Sequence, residues 1–285
     1  MTPDILTQFQ DIKLIQDKIL YINDDEKRRL YYRLELEKQK LEARIYPPKF
    51  QKGLKQLVYI SSQRDTKRVE GTTIDFIKNT TESFKPELIL VEDNSRIAKL
   101  AMELEFCKNL AKYENIPLEL INPVESEKIG FLLERGYSKD EIYLRYAIYA
   151  LADFFNTHEE YTASEADFQV ELEKLAHALN RICNWNYDFS FSNFRHLYKQ
   201  FTDFDFDIND RRSYVNYVTY TLFDVESDWQ KFNIMNADII YFQDREAVKN
   251  IYLALQKYNK ILVVTTGLHY SLQKPALKKM FDLIS

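Results

Sequence analysis

The feature that most constrains the fold is a rhythm in which short apolar runs alternate with segments long enough to form a helix. Leu57-Val58-Tyr59-Ile60 and Leu88-Ile89-Leu90-Val91 are two such runs, and Pro117 to Ile121 is a shorter third. Asp238-Ile239-Ile240-Tyr241 and Ile261-Leu262-Val263-Val264 follow towards the C-terminus, with helical patterns at about 73–84, 96–113 and 245–258. Continuous β-branched and aliphatic runs of this length read as strands buried on both faces, and their alternation with helices reads as βαβ units. The expected fold class is therefore α/β, a mainly parallel sheet flanked by helices. Pro275 suits the first turn of a closing helix.

Two embellishments interrupt the rhythm. Residues 3–46 read as a helical hairpin, with Ile5, Phe9, Ile12, Ile15 and Ile19 on one face of its first helix and a sparse Leu30, Leu34, Leu41 stripe on its second. Pro47-Pro48 ends the hairpin and Gly53 loosens the connection, which sets a boundary near residue 50. The expected organisation is a hairpin over 1–50 and an α/β core over 51–285 with a helical insertion at about 126–235. Within the insertion, Ser138 with Glu141 is a capping-box pattern, and Thr162 with Glu165 is another possible helix start. The alternation Asp203-Phe204-Asp205-Phe206-Asp207 reads as a loop or edge strand with Phe inward. It lacks the glycine and the closing glutamate of a calcium-binding EF-hand loop.

Composition removes several function classes. The net charge is −5 with acids and bases interspersed, so no basic face offers itself to nucleic acid. The five glycines never fall into a phosphate-binding spacing. Cys107 and Cys183 stand alone, which suits ordinary thiols in a reducing compartment, and His158, His177 and His196 have no zinc-ligand spacing. No apolar segment is long enough to span a membrane, and Met1 to Lys18, carrying Asp4, Asp11 and Asp17, reads as neither a secretory signal nor a lipidation motif. The expected location is cytoplasmic, with neither membrane nor nucleic acid as a partner. The 20 tyrosines and 19 phenylalanines point to bulky aromatic packing.

In an open parallel sheet, ligands bind where strands hand over to loops at their carboxyl ends. There the sequence places Gln63, Arg64 and Asp65 after the first strand, Glu92 and Asp93 after the second, and Asn122 after the third. Gly267 and His269 follow the last strand, and Asp244 and Arg245 open the preceding helix. Each has a bland alternative. Glu92 and Asp244 could serve as helix caps, Arg64 and Asp65 as a surface ion pair, and His269 as a core histidine bonded to a carbonyl.

Two segments carry a family resemblance. The first is Leu57-Val58-Tyr59-Ile60-Ser61-Ser62-Gln63-Arg64-Asp65, followed by Pro86-Glu87-Leu88-Ile89-Leu90-Val91-Glu92. The second is Gln243-Asp244-Arg245-Glu246, a helix, and then Val263-Val264-Thr265-Thr266-Gly267-Leu268-His269, continuing through Pro275. Together they resemble the TraB/PrgY and ChaN-like superfamily, which includes Tiki-type proteases and erythromycin esterases. The resemblance covers both ends of residues 55–283 and implies an α/β core with a helical lid. Glu92, Asp244, Gly267 and His269 fit the superfamily pattern. Arg64 stands where its first histidine would be, Gln243 replaces an arginine, Thr266 a glycine, and Asn122 a glutamate.

The resemblance implies a metal- or histidine-dependent hydrolase of esters or peptides, acting on a small molecule or peptide in the cleft. His269 would be general base or sole imidazole ligand, Glu92 would activate or orient water, Asp244 would fix the histidine, and Arg64 would stabilise an oxyanion. A divalent metal belongs to the family chemistry, but Arg64 has no lone pair to give one. The alternative is a catalytically degenerate relative, a ligand-binding module or one that recruits a protein partner through its N-terminal hairpin.

Overall fold

The computed structural model describes residues 48–62, 70–92, 98–157, 164–203, 205–209, 230–266 and 269–284. The hairpin expected over 3–46 lies outside them. Five strands, β1 (Lys49–Lys52), β2 (Lys55–Ser62), β3 (Leu88–Val91), β4 (Leu118–Leu120) and β5 (Lys260–Thr266), form one sheet. Their order is β1-β2-β5-β3-β4. All neighbours are parallel except β1, which pairs antiparallel with β2. The fold is therefore α/β with a mostly parallel sheet flanked by helices. Because β5 is inserted between β2 and β3, the strand order reverses at the middle of the sheet, the place where parallel sheets leave a crevice at their carboxyl edge.

Both faces of the sheet are covered, which is why its strands read as continuous apolar runs. On one face Val58, Ile60, Ile89, Val91, Leu262 and Val264 pack against Ile77 of α1 (Glu70–Phe84) and against Leu104, Cys107 and Ala111 of α2 (Ala98–Glu114). The alternate positions Leu57, Tyr59, Leu88, Leu90, Ile261 and Val263 face the other way and are just as buried. There α8 (His269–Leu283) sets Tyr270 against Tyr59 with ring centroids 5.2 Å apart and stacks Phe281 on Phe50 at 5.6 Å.

The chain divides into two compact units, one drawn from Met1–Pro123 with Gln243–Ser285 and the other from Val124–Phe242. The described part of the first is the sheet and its helices. The second holds α3 (Glu125–Glu134), α4 (Lys139–Thr157), α5 (Glu165–Cys183), α6 (Phe191–Thr202) and the first half of α7 (Gln230–Lys257). Its core draws on the abundant aromatics, with Phe168 in contact with the rings of Phe191, Phe194 and Phe206 at 5.8, 5.1 and 5.8 Å. The capping box at Ser138 and Glu141 forms, the Glu141 carboxylate accepting from Ser138 N at 2.7 Å and Ser138 Oγ from Glu141 N at 3.2 Å.

Several local expectations are corrected. The run at 238–241 is not a strand but lies inside α7, where Met235, Ile239 and Phe242 are buried at helical spacing and Asp238 pairs with Arg135 at 2.8 Å. A four-residue apolar run cannot by itself distinguish strand from helix. That helix therefore begins at Gln230 rather than near Arg245. Gly53 does not loosen a linker. It takes φ +58° in the two-residue turn between β1 and β2, a positive φ that favours glycine at the first central position of a hairpin turn. Pro275 sits inside α8 rather than in its first turn, removing one intrahelical bond. The helix expected at Thr162 and Glu165 is capped instead by Ser164, whose hydroxyl accepts from Asp167 N at 3.3 Å; Thr162 is outside the described residues. The described part of the 203–207 stretch, in contrast, is a loop of the expected kind, with Phe206 buried between exposed Asp205 and Asp207 and Asp203 a left-handed helix cap at φ +61°.

Candidate functional site

Strand parity selects the first member of the site. Glu92 follows β3 in step with Leu88 and Leu90, and its backbone N–H donates to Val264 O at 3.0 Å, fixing it beside β5. Its side chain is therefore delivered to the α8 face at the carboxyl edge. The short connection out of β5 ends at His269, the first residue of α8. Asp244 comes from α7, well inside the helix rather than at its start, and is completely buried.

These three side chains meet. His269 Nδ1 lies 2.8 Å from Asp244 Oδ1, and His269 Nε2 lies 3.3 Å from Glu92 Oε1. The imidazole keeps 17% of its surface in contact with solvent, whereas Glu92 and Asp244 keep 5% and 0%. An acceptor thus faces each ring nitrogen, and the ring and, to a lesser extent, Glu92 reach solvent while Asp244 does not. Burial alone would lower the imidazole pKa. The charge of Glu92 and then that of Asp244, reinforced by hydrogen bonds to both, outweigh it and hold the ring well above its ordinary value. Both carboxylates thus favour the protonated ring, with one acceptor facing each nitrogen.

Behind this trio runs a second set of polar groups. Gln273 Nε2 donates to Asp244 Oδ1 at 2.7 Å, and Gln273 Oε1 accepts from the Tyr59 hydroxyl at 2.9 Å. Tyr59 in turn accepts from Thr265 Oγ1 at 3.1 Å. Burial, opposed by the Thr265 hydrogen bond but assisted by the charges of Asp244 and Glu92, raises the Tyr59 phenol well above its usual value and keeps it neutral. The other oxygen of Asp244, Oδ2, is buried without a hydrogen-bond partner among the described residues.

The structure therefore brings together His269, Glu92 and Asp244. Asn122 is half-buried just beyond β4 and is not a hydrogen-bond partner of His269 or Asp244. Gln63, Arg64, Asp65 and Gly267 lie outside the described residues. Thr265 was among the residues the sequence places at the end of the last strand, but Tyr59 and Gln273 were missed. Gln273 was legible as the residue one helical turn after His269, but reading Pro275 as the start of the helix hid that relation.

A divalent metal does not fit the described donors. No three His, Cys, Asp or Glu side chains among them are grouped to hold an ion. Both ring nitrogens of His269 already face a carboxylate, so an ion would have to displace one of these contacts to reach a lone pair. Burial and then the Glu103 charge push the Cys107 thiol up to about 12, and burial also raises the Cys183 thiol, so neither is an activated thiolate. His177 and His196 are exposed, and His158 is outside the described residues. Among the described residues, no helix is long and apolar enough to cross a membrane. Compared with known protein families, with proteins of known function and with solved structures, the chain finds no match in any of the three.

Proposed function

We propose that the chain is a divergent TraB/ChaN-like hydrolase of esters or peptides whose working groups are Glu92, His269 and Asp244. The observation that carries this reading is the carboxylate–imidazole–carboxylate contact, 2.8 Å on one side and 3.3 Å on the other, at the carboxyl edge of a parallel sheet. Its charge state divides the roles differently from the sequence expectation. An imidazolium cannot accept a proton, so His269 serves as the acid and Glu92 as the base.

In this scheme Glu92 takes a proton from water as the water oxygen bonds to the acyl carbon. The bond to the leaving oxygen or nitrogen then breaks as His269 delivers a proton to it. The proton held by Glu92 returns to His269 across their contact and restores the site. Asp244 keeps the ring oriented and stabilises its charge throughout. The substrate class is a small acyl ester or peptide, and the two free cysteines support a reducing, cytoplasmic setting.

The experiment is a hydrolysis screen over acyl esters and short peptides with wild type, His269→Ala and Asp244→Asn. Turnover by wild type and a loss of about 100-fold or more in His269→Ala, the usual scale of acid–base catalysis, are expected. One observation favours the degenerate reading, in which this edge binds a ligand or the N-terminal hairpin recruits a protein: both nitrogens of His269 are already engaged. That reading expects no turnover on any substrate, with wild type and variants alike.

A further inference from the structure

Asp244 Oδ1 accepts two bonds at once, from His269 Nδ1 at 2.8 Å and from Gln273 Nε2 at 2.7 Å. The two donors come from one face of α8, four residues apart, and grip a carboxylate on α7. Gln273 cannot turn freely. Its Oε1 is held by the Tyr59 hydroxyl, which is itself held by Thr265 from the neighbouring strand. An inverted amide would set Oε1 against the Asp244 carboxylate, acceptor against acceptor. The donations therefore run in one sense, from Thr265 to Tyr59 to Gln273 to Asp244. Tyr59, Asp244, Thr265 and Gln273 are at most 2% exposed, so no solvent competes with the chain.

We propose that Gln273 and Tyr59 are positioning residues of the hydrolytic site, fixing the Asp244 carboxylate so that Oδ1 is presented to the His269 ring. The proposal takes its chemical meaning from the hydrolase reading, but its geometry does not depend on a substrate. A chain with only a structural role would hold α7, α8 and the sheet together and leave the imidazole unaffected. A positioning chain sets how firmly His269 keeps its proton. Among the described residues, the titratable groups facing the ring are Glu92 from the end of β3 and Asp244 from α7, with the neutral Tyr59 phenol of β2 behind them.

The test is titration of the His269 imidazole by NMR in the full chain, comparing wild type with Gln273→Leu and Tyr59→Phe. Cutting the chain loosens Asp244 from Nδ1, so the imidazole pKa falls by about one pH unit or more in Gln273→Leu and by less in Tyr59→Phe. Should Gln273→Leu fail to fold, Tyr59→Phe decides alone, because it removes only a hydroxyl and keeps the ring against Tyr270. A His269 titration unchanged in the folded variants, even with lowered urea midpoints, overturns the proposal. Failure of the hydrolase reading looks different: the titration shifts as described, yet no ester or peptide is turned over.

Discussion

At the residue level, His269 lies between two buried carboxylates, 2.8 Å from Asp244 and 3.3 Å from Glu92. Its pKa in the folded chain lies above that in the unfolded chain, which is near ~6.5. Protonated His269 therefore contributes stability that is fully present below that value and is lost as pH rises through the raised folded value. The unfolding free energy should fall with increasing pH above about 6.5, with a slope of up to about 1.4 kcal/mol per pH unit. Urea unfolding of wild type and His269→Ala at a series of pH values checks this, since the variant should lose that part of the slope. His269 and Glu92 were legible in the sequence because they follow the ends of real strands, whereas Asp244 stood out as a helix start after 238–241, a run that lies inside α7. The charge state of the trio was not legible, because it depends on how close and how dry the carboxylates are, and the sequence encodes neither directly.

Elements were readable where two independent signals agreed. The parallel strands were marked by apolar runs bounded by helical segments, and α4 by its capping box. Ser138→Ala should cost about 1 kcal/mol, the usual worth of an N-cap, read as a lowered urea midpoint at unchanged slope. Elements were misread where one signal stood alone. Pro275 suggested a helix start although α8 begins at His269, and Ile239-Ile240 suggested a strand although Met235, Ile239 and Phe242 form a helical stripe. β1 went unnoticed because four residues with one half-buried phenylalanine give no period to detect, and only the pairing with β2 makes them a strand. These errors bore on function, since the misplaced helix starts hid the burial of Asp244 and the link from His269 to Gln273.

For the molecule as a whole, the aromatic composition finds its use in the core of the Val124–Phe242 unit, while the candidate chemistry belongs to the unit that carries the sheet. Phe168→Ala removes a ring that is fully buried among Phe191, Phe194 and Phe206 and should destabilise that core by about 3–5 kcal/mol, measured by urea unfolding. In the sheet unit the corresponding feature is the contact of His269 with Asp244 at 2.8 Å and with Glu92 at 3.3 Å, the site of the proposed proton transfer. Glu92→Gln keeps the shape of that side chain and removes the proposed base. The decisive measurement is the initial rate of hydrolysis by wild type and Glu92→Gln, side by side on one panel of acyl esters and peptides at neutral pH. The account predicts turnover by wild type that falls by about 100-fold or more in the variant while the fold is retained. Equal rates in the two proteins, or none in wild type, would contradict it.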